Sequence, residues 1–383
     1  MKILSDRYVF KKAYVRLLVW IFDLVGSGCF FWLRWFKTKQ PVKRILIVRL
    51  DQIGDVVLTL PVIDLLKACF PEVKIDFLVS PAAQELVENH PDISCVYTFQ
   101  NAYFSKPYRG IQALCEWFQY LGLFRRNGYD LAFDFRGDVR NAFLLFLSGA
   151  KRRVGRGSAG GGFLFTDLVA ERSQEHQLER NLALLRVVGC ATAETDSGVY
   201  YPLGTLGIFK ARCPDFFSKG IHPWIVVHIG SGYPSKRWPV SNFFLLIDRI
   251  LKSGMGSVLL IGQGSEERLA GSYFKENPHL FNLMSKTTLS ELCALIDACD
   301  LFIGNDSGPT HIAAALGKKV VALFSGTNDY RVWQPRGRSV HILHHPVPCS
   351  PCHEKICPLP RHDCMEAITV EQVFEKVRTL IHE

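Results

Sequence analysis

Two parts of the chain show the same alternation of short apolar runs and helically spaced apolar positions. The apolar runs predict strands, and the helical spacing between them predicts helices. Strands are predicted at residues 44–50, 74–79, 96–99, 129–135, 224–229, 257–261, 300–303 and 319–324. Helices are predicted at residues 56–70, 82–89, 111–126, 176–188, 240–252, 266–273, 289–298 and 309–316. Such alternation is typical of parallel, doubly wound α/β sheets, so we predict two of them in tandem.

Two stretches lack this alternation and suggest where the domains divide. Residues 151–175 are rich in Gly, Arg and Ser and predict a long mobile loop. Residues 190–222 have little periodicity and contain Pro202 and Pro214, so the domain boundary is expected there. The predicted domains are residues 43–205 and 206–383, preceded by an N-terminal arm of residues 1–42.

The N-terminal arm is apolar and aromatic over residues 13–36 and carries basic residues at both ends. On a helix, its few polar residues fall along one narrow stripe. They are Arg16, Asp23, Ser27 and Arg34. This pattern favours a helix that lies in a membrane interface. Two alternatives remain open, a helix packed on the protein or a second copy, and a spanning helix, which the internal charges oppose.

Charge is concentrated in the same arm. The chain has 383 residues and a net charge of +9, and residues 1–44 contain ten basic and two acidic residues. The remainder is nearly neutral, which excludes a nucleic-acid-binding surface across the whole protein. A composition of 48% hydrophobic and 21% charged residues also excludes a disordered, collagen-like or coiled-coil protein.

The chain contains twelve cysteines, of two kinds. Eight are scattered, mostly in apolar runs, and are expected to be free thiols in a reducing compartment. The other four are clustered: Cys349, Cys352, Cys357 and Cys364. Four thiolates could hold zinc or iron, but these spacings match no standard zinc finger, so a loop of reduced thiols is the alternative.

Three strand–turn–helix segments carry candidate chemistry. Residues 304–311 (GNDSGPTH) follow a strand and open a helix, whose free N–H groups and dipole favour an anion. Asp306 would stand at the carboxyl end of that strand, where α/β sheets bind ligands. The alternative is that Asp306 and Ser307 only cap the helix.

The second segment, residues 228–239 (HIGSGYPSKRWP), could cradle a diphosphate, with Lys236 as the counter-charge. The third, residues 49–55 (RLDQIGD), places Asp55 at a strand-to-helix turn, where a carboxylate could take a proton from a hydroxyl group. A helix-capping aspartate is the alternative for Asp55.

Together these segments resemble the bacterial heptosyltransferases of glycosyltransferase family 9. The likeness covers roughly residues 43–378 and rests on four segments. They are RLDQIGDVVLTLPVIDLLKACFP, HQLERNLALLRVVG, HIGSGYPSKRWP and NDSGPTHIAAALGKKVVALFSGT. The resemblance implies the GT-B architecture, in which two Rossmann-like domains face each other across a cleft. It also implies metal-independent transfer of a sugar with inversion, without any cofactor beyond the nucleotide-sugar donor, expected to be ADP-heptose.

The resemblance implies a role for individual residues. Asp55 matches the catalytic base, with Gly54 and Asp51 on the acceptor side; some members carry Ser or Thr where Asp51 stands. Donor-binding roles are implied for residues of the second domain, with Glu266 or Glu267 as a candidate ribose ligand. The donor-binding residues are Ser231, Lys236, Asp306, Ser307, Gly308, Pro309 and His311.

The expected acceptor is a lipid-linked saccharide of lipopolysaccharide or another surface glycan. The arm of residues 1–42 would then hold the enzyme on the cytoplasmic face of the bacterial plasma membrane. A transferase for another nucleotide hexose, and a non-catalytic protein that binds nucleotide sugars, are the alternatives.

Overall fold

A computed structural model describes most of the chain. The described residues are 8, 10, 12–30, 41–100, 110–172, 174–192, 198–270 and 277–383, apart from the side chains of 110–114 and 215–217. They form two compact units, Met1–Ser197 and Gly198–Glu383. The sequence-based boundary at 205/206 therefore lies a few residues beyond the observed division.

The first unit contains a six-stranded parallel sheet with the strand order β3-β2-β1-β4-β5-β6. Its strands are β1 (Arg44–Arg49), β2 (Lys74–Val79), β3 (Ile93–Thr98), β4 (Leu131–Asp134), β5 (Arg152–Gly155) and β6 (Asp167–Leu168). The central strands are continuous apolar runs with almost no exposed surface, as expected for a sheet covered on both faces.

Seven helices are described in this unit. They are α1 (Ala13–Phe30), α2 (Ile53–Val57), α3 (Leu60–Cys69), α4 (Gln84–Glu88), α5 (Gly110–Asn127), α6 (Val139–Leu147) and α7 (Gln177–Val187). Helices α5 and α6 pack on one face of the sheet, where Phe124, Leu145 and Phe165 belong to one apolar core. The single helix predicted at 56–70 is two helices, because the chain turns at Leu58 and Thr59 ahead of Pro61.

The second unit repeats this architecture with the order β12-β11-β10-β7-β8-β9, all parallel. Its strands are β7 (Trp224–His228), β8 (Ser257–Ile261), β9 (Leu280–Asn282), β10 (Leu301–Asn305), β11 (Lys319–Phe324) and β12 (Val340–His344). Both sheets therefore have the Rossmann strand order, which confirms the predicted pair of doubly wound domains.

Nine helices are described in the second unit. They are α8 (Thr205–Arg212), α9 (Pro214–Lys219), α10 (Val240–Lys252), α11 (Gly264–Ala270), α12 (Leu289–Ala298), α13 (Gly308–Ala315), α14 (Tyr330–Trp333), α15 (Asp363–Glu366) and α16 (Val370–His382). Helices α10 and α16 pack side by side on the sheet, and Trp238, Phe243 and Phe374 join the apolar core beneath them. Trp238 Nε1 donates to the Ile368 carbonyl at 2.8 Å, so this buried indole is satisfied.

The Gly-rich segment predicted as a mobile loop is instead part of the core of the first unit. It contains β5, β6 and a turn of 3-10 helix at Gly162–Leu164, and Phe163, Leu164 and Phe165 are buried. Its glycines permit close packing, since a Cβ atom on Gly155 would lie 2.5 Å from the Phe165 ring. The prediction was wrong because the glycines make room for aromatic rings rather than for motion.

One expectation about the cysteines is also wrong. Cys69, at the end of α3, and Cys190, after α7, form a disulfide rather than remaining free thiols. Cys293 and Cys299 are buried like small apolar residues, as expected, and neither forms a disulfide.

Helix α1 presents its polar residues to the protein and its apolar residues to the outside. Asp23 is buried, and its carboxylate accepts hydrogen bonds from the Tyr8 hydroxyl and the Gly161 N–H, both at 2.8 Å. Phe22 and Phe30 pack against Phe163, with ring centroids 5.2 and 5.6 Å away. The outer face is apolar and exposed, and consists of Tyr14, Leu17, Leu18, Ile21, Leu24 and Val25.

Helix α1 has 18 residues and a mean hydropathy of 1.5, and by length and composition it is the one described helix that could cross a membrane. One side of α1 packs on the first unit, which confirms the prediction of a helix packed on the protein for that side. The predicted continuation of the helix to residue 36 falls on residues 31–40, which lie outside the described part of the chain.

Candidate active site

Two loops at the carboxyl edge of the second sheet are tied together by one buried side chain. The Asn305 Nδ2 group donates to the carbonyls of Ile229 (2.9 Å) and Gly230 (3.1 Å), and Asn305 Oδ1 accepts the Trp238 N–H at 2.9 Å. Ser231 Oγ donates to the Asp306 carbonyl at 2.8 Å. The loop after β7 is thereby fixed against the end of β10, which brings the two predicted donor-site motifs together.

Lys236 and Asp306 meet at this junction. Lys236 lies in a 3-10 turn at Pro234–Lys236, and its Nζ atom is 2.6 Å from Asp306 Oδ2. Both side chains are largely buried, at 16% and 8% exposure. An ammonium group is therefore held at the carboxyl end of β10, next to the start of α13.

The first turn of α13 follows closely after Asp306, and no side chain that the structure describes caps its N–H groups. Ser307 stands at the N-cap position, Gly308 and Pro309 are the first two helical residues, and the Ser307 hydroxyl makes no capping hydrogen bond. The first N–H groups of a helix have no partner within it and carry a partial positive charge. Neither side chain caps the helix by a hydrogen bond to its first N–H groups. The Asp306 carboxylate pairs with Lys236, and the Ser307 hydroxyl lies within hydrogen-bond distance of His228.

The Ser307 hydroxyl belongs to a chain of buried polar groups beneath the loops. Ser307 Oγ lies 3.1 Å from His228 Nδ1, and His228 Nε2 lies 3.3 Å from Glu266 Oε2. Burial acts to raise the pKa of Glu266, but the hydrogen bond and charge of His228 outweigh it and hold that pKa below its usual value. A Cβ atom on Gly230 would lie 1.6 Å from Glu266 Oε1, so the donor loop passes directly over this carboxylate.

The two candidate ribose ligands differ in position. Glu266 is buried against the donor loop, whereas Glu267 is exposed and accepts a 3.2 Å hydrogen bond from Ser285 Oγ. The geometry favours Glu266 as the acid beside the donor loop. His311, one turn into α13, is buried, and burial lowers its pKa to about 4 despite the nearby Asp306 carboxylate.

In the first unit, Asp55 is held by an arginine that the sequence did not identify as functional. Asp55 is the third residue of α2, and the N-cap position belongs to Gln52, so Asp55 is not the capping residue. Arg49 Nη2 donates to Asp55 Oδ1 at 2.8 Å, and Arg49 Nη1 donates to the Phe135 carbonyl. Arg49 is 2% exposed and the Asp55 side chain 18%, so a buried cation orients an accessible carboxylate.

Asp51 shares the same guanidinium group. Arg49 Nε is 3.1 Å from Asp51 Oδ2, and Arg136 forms an ion pair with Asp51 Oδ1. Burial raises the pKa of Asp51 against the pull of Arg49, and the neighbouring Asp55 charge adds to that rise. Gly54 precedes Asp55 within α2, so Asp51, Gly54 and Asp55 lie together at the carboxyl end of β1.

Comparison with known proteins identifies the family. The family model described as glycosyltransferase family 9 (heptosyltransferase) matches residues 121–362. The chain belongs to glycosyltransferase family 9. The matched residues include Lys236, Asp306 and the start of α13, whereas Asp55 lies outside them.

The family likeness extends to individual proteins. Lipopolysaccharide heptosyltransferase 3 of Escherichia coli is 28% identical over 291 residues, which cover 74% of this chain and 83% of that protein. The solved structure of E. coli ADP-heptose lps heptosyltransferase II has a TM-score of 0.72 at 19% identity, covering 88% of this chain and 98% of that one. E. coli heptosyltransferase WaaC with ADP-2-deoxy-2-fluoro heptose has a TM-score of 0.64 at 18% identity, covering 88% and 99%.

A more distant structural likeness raises the question of a metal. E. coli TibC, described as an iron-containing dodecameric glycosyltransferase, has a TM-score of 0.52 at 15% identity, covering 90% of this chain and 77% of that one; this shows a shared fold alone. In the described part of this chain, one group brings three possible ligand atoms within 4.8 Å of one another, and it is Asp64, His90 and Asp92. The four clustered cysteines are not such a group, but they lie near one another: burial raises the pKa of the Cys364 thiol, and the thiols of Cys357, Cys349 and Cys352 add to that rise.

The Asp64, His90 and Asp92 group consists of a buried histidine between two half-buried carboxylates. His90 Nδ1 accepts the Asp92 N–H at 3.2 Å, and His90 Nε2 lies 3.5 Å from Asp64 Oδ1. The imidazole ring is therefore oriented by one backbone N–H and lies next to one carboxylate.

Proposed function

We propose that this protein is an inverting heptosyltransferase that moves heptose from ADP-heptose to a lipid-linked saccharide in lipopolysaccharide or other surface-glycan assembly. The observation that carries this proposal is the Lys236–Asp306 pair at the start of α13, within the part of the chain that matches the family. It offers a cation and helix N–H groups to a diphosphate, and a carboxylate to sugar hydroxyl groups. The ADP-heptose and ADP in the names of the similar structures support the choice of nucleotide.

In the proposed donor complex, the diphosphate lies between Lys236 and the first turn of α13. Ser231 and Gly308 shape its walls, Pro309 fixes the first turn, and Asp306 turns from Lys236 to the hydroxyl groups of the sugar. Buried His311 keeps a neutral imidazole behind this site, because its pKa of about 4 lies well below neutral pH. Glu266 is the proposed ribose ligand, since it lies in the first turn of α11, beside the donor loop.

In the proposed reaction, Asp55 takes the proton from the acceptor hydroxyl as the acceptor oxygen bonds to the anomeric carbon. The bond from that carbon to the diphosphate oxygen breaks on the opposite side, so ADP leaves and the anomeric configuration inverts. Arg49 fixes one carboxylate oxygen of Asp55, and Asp51 and Gly54 border the place where the acceptor would lie. The negative charge of the departing ADP is offset in part by Lys236 and the helix N–H groups, and the proposed mechanism uses no metal.

We also propose that the arm of residues 1–42 binds the cytoplasmic face of the plasma membrane, where a lipid-linked acceptor is found. The outer face of α1 supports this proposal, because seven large apolar side chains of this 18-residue helix are exposed, six of them on that face and the seventh Phe22. The basic residues at both ends of the arm suit anionic lipid headgroups. A helix docked through Asp23 and Phe163 would lie along the membrane rather than cross it.

Calorimetric titration with ADP, UDP, GDP and dTDP tests the donor. We expect the wild-type protein to bind ADP most tightly, and Lys236→Ala to weaken ADP binding about 10- to 100-fold, because a charge-assisted contact to phosphate is lost. Lys252→Ala, which removes an exposed lysine at the end of α10, is the matched control and should bind as wild type.

Two other results would replace the proposal. Tighter binding of UDP, GDP or dTDP would identify a transferase for another nucleotide hexose. Tight ADP binding without transfer from ADP-heptose to any lipid-linked saccharide would identify a non-catalytic nucleotide-sugar-binding protein.

A further inference from the structure

The Cys-rich segment, residues 349–364, is attached to the turn that carries Lys236. The Ser235 N–H donates to the Lys355 carbonyl at 3.2 Å, and the Ser235 hydroxyl donates to the Glu354 carbonyl. The Ser235 carbonyl lies 3.0 Å from His362 Nε2. Because Ser235 is 2% exposed, three buried hydrogen bonds fix this segment to the residue next to Lys236.

The same segment is attached to the loop that follows β11. The Cys352 N–H donates to the Gly326 carbonyl at 3.0 Å, and the His353 N–H donates to the Thr327 carbonyl at 2.9 Å. Thr327 Oγ1 in turn donates to the Ser235 carbonyl at 3.1 Å. The Cys-rich segment is therefore held against two loops at the carboxyl edge of the second sheet, and it forms a wall beside the proposed diphosphate site.

This attachment brings a second lysine to the site. Lys355 Nζ lies 5.4 Å from the centroid of the Tyr233 ring, and Lys236 Nζ lies 5.8 Å from the same centroid. Two ammonium groups thus share one aromatic ring, and both Tyr233 and Lys355 are accessible to solvent. Among the described residues Lys355 has no carboxylate within ion-pair distance, whereas Lys236 is paired with Asp306.

The charges at the site require a second cation. A nucleoside diphosphate that leaves carries about three negative charges, because its terminal phosphate gains one when the bond to the sugar breaks. Lys236, which is paired with Asp306 in the free protein, supplies one positive charge. A helix start contributes only about half a positive charge. An exposed lysine without a carboxylate at ion-pair distance, at the edge of the same site, supplies further positive charge.

We propose that Lys355 is a second phosphate-binding residue of the donor site and contacts the terminal phosphate of the nucleoside diphosphate. This inference rests on the proposed donor placement at Lys236. It gives the Cys-rich segment a role in donor binding: its backbone places Lys355 beside the Tyr233 ring, which Lys236 also contacts. The binding energy gained there grows as the bond to the sugar breaks, so Lys355 also favours departure of the diphosphate.

Titration of the full-length protein with ADP and with AMP, at low salt, tests this assignment. AMP lacks the terminal phosphate, so the difference between the two ligands reports on contacts to that group. We expect Lys355→Ala to weaken ADP binding about 5- to 20-fold and AMP binding by less than about twofold, with a smaller loss for ADP at high salt. Lys355→Arg should restore ADP binding to within about threefold, and Lys252→Ala should bind both nucleotides as wild type.

Three results separate the possible failures. If Lys355→Ala binds ADP as wild type while Lys236→Ala does not, Lys355 has no phosphate role and the inference is overturned alone. If Lys355→Ala weakens ADP and AMP equally, the lysine acts only by packing on Tyr233, and the inference is overturned as well. If the wild-type protein binds ADP no more tightly than AMP, the donor placement at Lys236 fails and the role of Lys355 fails with it.

Discussion

At the scale of single residues, Asp55 is the side chain whose chemistry matters most for the proposed reaction. The buried Arg49 guanidinium bonds Asp55 Oδ1 at 2.8 Å and also lies against Asp51. An ion pair of this kind holds the carboxylate in one orientation, which is what a base needs before the acceptor arrives. Asp51 is mostly buried and is shared between Arg49 and Arg136, so its oxygens are less accessible than those of Asp55 to an acceptor hydroxyl group.

We predict that Asp55→Asn lowers the rate of sugar transfer about 10²- to 10⁴-fold, because asparagine keeps the shape but cannot accept the proton. ADP affinity should stay within about twofold of wild type, since Asp55 belongs to the first unit, whereas Lys236 and the loops that hold it belong to the second. Turnover, ADP titration and melting temperature of the one variant give all three quantities. A stable variant with near-normal turnover would exclude Asp55 as the base and make Asp51 the next candidate.

His311 gives a second prediction, on the pH dependence of stability. Its pKa is lowered to about 4 in the folded protein by burial, against an ordinary value of about 6.5 in the unfolded chain. Between these two values the unfolded chain binds more protons, so the free energy of unfolding falls as the pH falls, by about 1.4 kcal/mol per pH unit. This contribution is complete above pH 6.5 and is lost as the pH drops towards 4.

The measurement is urea unfolding of the wild-type protein and His311→Asn between pH 7 and pH 5. We expect the variant to be less stable at pH 7 because of the cavity, but to lose less stability than wild type over this range. Parallel pH profiles for the two proteins would show that His311 does not carry the effect.

The sequence revealed those site residues that lie inside recognisable strand–turn–helix motifs, such as Lys236 and Asp306. It did not reveal Arg49 or Asn305 as organisers of the site, although both lie within quoted motifs. Their roles depend on partners far away in the chain: Arg49 bonds the carbonyl of Phe135, and Asn305 bonds the loop around Gly230. Such pairings follow from the order of strands in a sheet, which periodicity along the chain does not contain.

At the scale of elements, the most accurate predictions fell on buried runs with clear ends. The predicted bounds of β2, α10, β8, α12 and β11 agree with the structure, because apolar runs there end at prolines, glycines or polar turns. The missed strands have weaker signals. Strands β6 and β9 have only two and three residues, β12 is half-buried or exposed throughout, and β5 lies within the Gly-rich segment.

The Gly-rich segment was predicted as a mobile loop and α1 as an interfacial helix, but the structure shows the two packed against each other. Gly160 and Gly161 have φ values of +91° and +78°, which lets the chain turn beneath α1 and present the Gly161 N–H to Asp23. A Cβ atom on Gly26 would lie 2.3 Å from the Phe163 ring, so the helix and the segment fit together through glycine. The contact between α1 and the Gly-rich segment joins residues that are more than 100 positions apart in the chain. The local pattern of either segment therefore could not predict it.

At the scale of the whole molecule, the two units share one strand order and place their candidate residues at the same edge of the sheet. In each sheet the first strand lies in the middle of the order, and the candidate residues follow the carboxyl ends of the central strands, β1 in one unit and β7 and β10 in the other. Parallel sheets of this topology bind ligands at that edge, where the strand order reverses. The fold class could therefore be predicted from alternation alone, and the candidate sites from the turns that follow the central strands.

The last prediction concerns how the whole protein associates with a membrane. Asp23 of α1 is turned inward and bonds the Gly-rich segment. Lipid contact must therefore come from the outer apolar face of α1 together with the basic ends of the arm. Leu18 and Val25 are each 61% exposed on that face. Burying such a side chain in lipid is worth about 1.5–3 kcal/mol, so replacing both with glutamate should weaken liposome binding at least about tenfold.

Co-sedimentation of the full-length protein with anionic liposomes at low salt measures this effect. The double variant Leu18→Glu, Val25→Glu should stay in solution with an unchanged melting temperature, because neither side chain packs in the core. Leu203→Glu, which changes a fully exposed apolar residue of the second unit, is the matched control and should bind liposomes as wild type. If the wild-type protein ignores anionic liposomes, or the double variant binds them as tightly as the control, the outer face of α1 is not a lipid contact. In that case a second copy of this chain becomes the partner to test for that face.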